Sequence, residues 1–102
     1  MGIPQAAAVG RNLIDGPVDT TRRGIASVPV TSRSVLETSE DPADPNHATG
    51  LVSLIASPKG AADVSGLAVG ADIYAAIAFS RDDGRDGMRL DHFAKALDWL
   101  VS

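Results

Sequence analysis

The chain has 102 residues, a formal net charge of −4, a pI near 4.8, 4% aromatic residues and no cysteine. That length fits one small domain with a modest core, built mostly from Ala, Val, Leu and Ile because aromatics are scarce. The acidic balance excludes a general nucleic-acid binder, which carries a basic face, and the lack of cysteine excludes disulfides and Cys-ligated zinc. No stretch approaches the ~20 apolar residues of a membrane span, and no secretory leader is legible, so the expectation is a soluble cytoplasmic protein without membrane contact.

Pro4 opens a short predicted helix running to about Asp15, with a partial apolar stripe of Ile3, Ala7, Val9, Leu13 and Ile14. Gly16-Pro17 ends it. Residues 24–36 place Ile25, Val28, Val30, Val35 and Leu36 among polar residues. Pro29 cannot donate to a ladder, so any strand here is an edge. Residues 37–49 have no apolar periodicity and contain Pro42 and Pro45, which predicts an acidic linker. Gly50 to Ser57 is a short apolar run, stopped by Pro58, whose Val and Ile tilt it to strand.

Residues 61–80 read as a helix, with Val64, Leu67, Ala68, Ala71, Tyr74, Ala75 and Ala78 on one face and Ala62, Gly66 and Gly70 four apart. A rival strand alternates through Ile73, Ala75, Ile77 and Phe79. Residues 81–87 form a polar turn. The last fifteen residues, Met88 to Ser102, form an amphipathic helix. Its expected core face is Leu90, Phe93, Ala94, Leu97, Leu100 and Val101, and a second stripe holds His92, Ala96 and Trp99. The two C-terminal helices make an antiparallel hairpin. The expected fold is therefore mainly α. Residues 1–49 form an extended N-terminal arm with the linker at 37–49, and residues 50–102 form a helical core, in one domain overall. The alternative is a small α+β fold with a short sheet from residues 24–36 and 50–57.

Charge is unevenly spread. Residues 1–36 are net +2, with Arg11, Arg22, Arg23 and Arg33 against Asp15 and Asp19. Residues 37–49 are net −4, from Glu37, Glu40, Asp41 and Asp44. Asp82, Gly84, Asp86 and Gly87 resemble a calcium loop only in composition: glycine and phenylalanine stand where two ligands belong. No serine lies in a Gly-x-Ser-x-Gly elbow, and no phosphate-binding glycine pattern is present.

Two histidines remain as candidates. His47 lies near Asp41, Asp44 and Asn46, a mixture able to do acid–base work once geometry is imposed. His92 shares a helix stripe with Trp99. The leading expectation is a non-catalytic structural or interaction subunit without a cofactor. It assembles with itself or a protein partner through Trp99, His92, Ala96, Leu90, Phe93, Leu97 and Leu100. The alternatives are a small ligand-binding or enzyme domain using His47 and nearby carboxylates, and an acidic regulator of a basic partner.

Overall fold

The computed structural model describes residues 10–56 and 71–102. In chain order these form β1 (Gly10–Asp15), β2 (Val30–Ser34), β3 (Asp41–Pro42), α1 (Asn46–Ala56), β4 (Asp72–Ile77), β5 (Phe79–Asp82), β6 (Arg85–Met88) and α2 (Leu90–Val101). β1 and β2 flank β4 in a parallel sheet of order β1-β4-β2, and β3, β5 and β6 form an antiparallel sheet of order β3-β5-β6. This is an α+β fold, not a mainly α fold with a helical hairpin.

β4 is what overturns the hairpin. Its alanines favour helix, yet Ile73, Tyr74 and Ile77 favour strand, and it is the central strand of the parallel sheet. The rival strand reading through Ile73, Ala75 and Ile77 is therefore the one realised here, and the helix over residues 71–80 is not. Residues 61–70, including the Ala62, Gly66 and Gly70 register, lie outside the described residues.

The two faces of β4 hold the two halves of the core. Ile73 and Ala75 turn to one face, where Ile25, Val28, Val52 and Ala56 complete a buried cluster joined by Leu13 and Val30. Ala76 and Ala78 turn to the other, against Ala96 of α2, with Ile14, Val35, Trp99 and Leu100 packed around them. The helices therefore sandwich the parallel sheet. The small side chains between sheet and α2 let the two backbones approach closely.

From Gly10 onward the N-terminal half is thus no arm. The described part of the expected first helix is β1, and β2 occupies the middle of the 24–36 segment. The Ile73 N–H donates to Pro29 O at 2.8 Å, so Pro29 contributes its carbonyl where it has no N–H to give. The second strand of the alternative fold, residues 50–57, is helical through Ala56. Its apolar stripe, Ala48, Thr49, Val52 and Ala56, emerges only when the helix is begun upstream. Asp44 Oδ1 accepts the Asn46 N–H at 2.8 Å and satisfies one of the first-turn donors, with Pro45 at the helix entry. The presumed linker therefore holds β3 and the cap of α1.

The polar turn at 81–87 is a hairpin. Asp83 (φ 52°) and Gly84 (φ 75°) both occupy the left-handed region, the requirement of a two-residue turn matched to strand twist. The final helix forms as expected, but its inward face differs. His92 and Ala96 are fully buried and Trp99 packs on the sheet, whereas Leu90 is 82% and Val101 78% exposed. Lys95 and Asp98 border a groove with Arg33, Ser34 and Val35 at the end of β2, and Leu90 and Leu97 are exposed. The indole is half-buried against its own sheet and borders two open grooves.

Candidate functional site

β1 alternates its side chains, so Leu13 and Asp15 share the α1 face. Asp15 ends the strand. The carboxyl ends of parallel strands are where open α/β sheets place their ligands. The Ala78 N–H donates to the Asp15 carbonyl at 2.8 Å, which fixes the strand end on the sheet. The carboxylate is buried, and one of its oxygens, Oδ1, accepts the Gly16 N–H.

The other oxygen, Oδ2, meets His47 Nδ1 at 2.7 Å. His47 stands in the first turn of α1. Its side chain is 75% exposed, while that of Asp15 is 8% exposed. An ionised carboxylate only accepts, so this bond places the proton on Nδ1 and leaves the Nε2 lone pair open to solvent. The imidazole is therefore fixed in tautomer and direction by a buried anion. Beside the pair lies a cavity of about 240 Å³ lined by Asp15, Ala43, Asp44, His47, Phe79 and Asp86. Ala43 and Phe79 make an apolar wall. Asp86 is engaged by Arg81 at 2.9 Å and receives the Asp44 N–H at 3.4 Å. No hydroxyl or thiol side chain lines this cavity among the described residues.

Gly16 permits the close packing here. A Cβ at this position would stand 3.2 Å from the Ala43 Cβ, in the cavity wall. The loop that follows is tied to α1. The Asp19 N–H donates to Thr49 Oγ1 at 2.8 Å, and Arg22 Nη2 donates to Asn46 Oδ1 at 2.6 Å. Hydrogen bonds from the Thr21 hydroxyl and N–H, with help from Arg22, hold the Asp19 carboxyl below the usual carboxylate range.

The residues expected around His47 have other roles. Asp44 caps α1, Asn46 receives Arg22, and Asp41 lies in β3. The true partner, Asp15, is 32 positions upstream. Its signal was a carboxylate at the end of an apolar run, followed by Gly-Pro. Read as a helix end, that signal carried no chemistry.

The expected interaction residues separate into three groups. His92, Ala96 and Trp99 face the sheet, Phe93 and Leu100 are half-buried, and Leu90 and Leu97 are exposed. His92 Nε2 lies 3.0 Å from Glu40 Oε1 without hydrogen-bond geometry, and neither ring nitrogen is hydrogen-bonded. A larger open groove over the second sheet is lined by charges of both signs, including the Arg81–Asp86 pair. Among the described residues no group of three or more His, Cys, Asp or Glu can hold a metal ion, and no helix is long and apolar enough to cross a membrane. Compared with known proteins, the chain matches no family model, no curated protein and no solved structure.

Proposed function

We propose that the chain carries the acid–base half of a hydrolytic, acyl-transfer site, with His47 as general base and Asp15 as its orienting carboxylate. The supporting observation is the 2.7 Å bond from His47 Nδ1 to the buried Asp15 carboxylate, with Nε2 left free. This is the carboxylate–imidazole portion of a nucleophile–His–carboxylate triad, defined by geometry and role. The His47 ring is exposed, and its one bond is to a buried carboxylate.

In the proposed reaction a hydroxyl group stands at Nε2. As its oxygen bonds to the acyl carbon, its proton passes to Nε2, and the imidazolium formed is stabilised by Asp15. When the bond to the leaving group breaks, Nε2 returns that proton to it. The hydroxyl is that of a water molecule. Hydrolysis of p-nitrophenyl acetate tests the reading. His47→Ala is expected to lower the protein-dependent rate by on the order of 10²-fold, the scale of general-base catalysis. Equal rates for wild type and variant refute it.

A second reading, an interaction subunit, is favoured by the outward apolar side of α2, where Leu90, Leu97 and Val101 are exposed. If that side binds a second copy, Leu90→Glu with Val101→Glu should turn a sedimenting dimer into a monomer. A wild-type monomer at every concentration removes self-assembly.

A further inference from the structure

We propose that Thr49 is a positioning residue for the His47 base. Its hydroxyl oxygen fixes the loop leaving Asp15 to the first turn of α1 and thereby sets the Asp15–His47 bond. This rests on the reading of that pair as the working site.

Asp15 and His47 sit on different elements, and a bond of 2.7 Å tolerates little relative movement. β1 is anchored by its ladder to β4. α1 is anchored to the sheet cluster by Val52 and Ala56. Val52 is five residues beyond His47, or about 7.5 Å along the axis. A small rocking of α1 about that contact moves the imidazole away from the carboxylate.

Thr49 acts where the rocking matters. It is 4% exposed, within one turn of His47, and its Oγ1 accepts the Asp19 N–H. The loop it holds is stiff. Asp19 Oδ1 takes the Thr21 hydroxyl at 2.6 Å, Oδ2 takes Arg22 Nε at 3.0 Å, and the Arg22 N–H returns to Asp19 O at 3.2 Å. With its carboxylate occupied within the loop, Asp19 reaches α1 through its backbone N–H. The second tie, Arg22 to Asn46, joins exposed side chains that water and salt weaken. Ala43 N–H donates to Phe79 O at 3.0 Å and pins the entry to α1 on the second sheet, and the part-buried Thr49 bond ties the helix start directly to the loop leaving Asp15.

The test is the proton NMR signal of the His47 Nδ1–H, assigned by its disappearance in His47→Ala. Wild type is expected to show a downfield, slowly exchanging resonance. Thr49→Val keeps the side-chain volume but removes the acceptor, and should lose that resonance while circular dichroism stays native. Thr49→Ser should retain it. If Thr49→Val does not fold, Thr49→Ser against Thr49→Cys makes the same comparison of oxygen with sulfur. Persistence of the resonance in folded Thr49→Val, or in Thr49→Cys, overturns the role of Thr49 and leaves the Asp15–His47 pair standing. Its absence from wild type overturns the pair itself.

Discussion

Asp15→Asn is expected to reduce ester hydrolysis by about 10²-fold, to the level of His47→Ala, while the protein melts close to wild type. The amide is nearly isosteric with the carboxylate. Its oxygen can still accept the Gly16 N–H that Asp15 Oδ1 accepts. Its NH2 then faces His47 Nδ1, which must become the acceptor, so the imidazole proton moves to Nε2. A protonated Nε2 cannot accept a proton from an attacking hydroxyl. The substitution therefore removes the base by changing its tautomer, without removing the ring or opening a cavity. Asp44→Asn is the matched control. Asp44 lines the same cavity, but its carboxylate caps α1 and has no bond to His47. It should leave the rate within a few-fold of wild type. Equal losses from Asp15→Asn and Asp44→Asn would mean that bulk negative charge, rather than orientation, governs reactivity.

The sequence makes some of this legible and hides the rest for physical reasons. The final helix declares itself through strong amphipathicity, and residues 90–101 form it. Which of its two apolar sides faces inward depends on what it packs against. Ala76 and Ala78 on the sheet leave room for Trp99 and His92, so the small-plus-large stripe faces the core, and Leu90 and Leu97 are left outside. His47 was visible as a reactive type in an acidic neighbourhood. Its partner was invisible because Asp15 and His47 meet only when β1 is laid beside β4 and α1 is returned over the same face. Local spacing pointed to Asp44, which is close in sequence and is spent on the helix cap. The strand at β4 is legible only as the rival to a helix, through Ile73, Ala75, Ile77 and Phe79, because the alanines between them fit either period.

Ile73→Ala is expected to cost about 3 kcal/mol of folding stability, within the range for large-to-small changes at buried isoleucine. A domain of this size holds roughly 5–15 kcal/mol in total, so one such change removes a sizeable share. Ile73 is 1% exposed on the central strand and is among the largest fully buried side chains, with Ile25, His92 and Val52. Ile25, Val28, Val52 and Ala56 close around it. Collapse into the vacated space is restricted because β4 is held by ladders on both sides and by the close contact with α2 beneath it. The Ile73 N–H keeps its bond to Pro29 O whatever the side chain, so the loss is one of packing and strand preference. Ile73→Val should cost only about 1 kcal/mol. Leu54→Ala, at a position 58% exposed, should be nearly neutral. Urea unfolding reads all three, and the expected midpoint order is wild type and Leu54→Ala, then Ile73→Val, then Ile73→Ala. A loss below 1 kcal/mol for Ile73→Ala would contradict the packing of α1 on this sheet. It would also remove the support on which the placement of His47 over Asp15 depends.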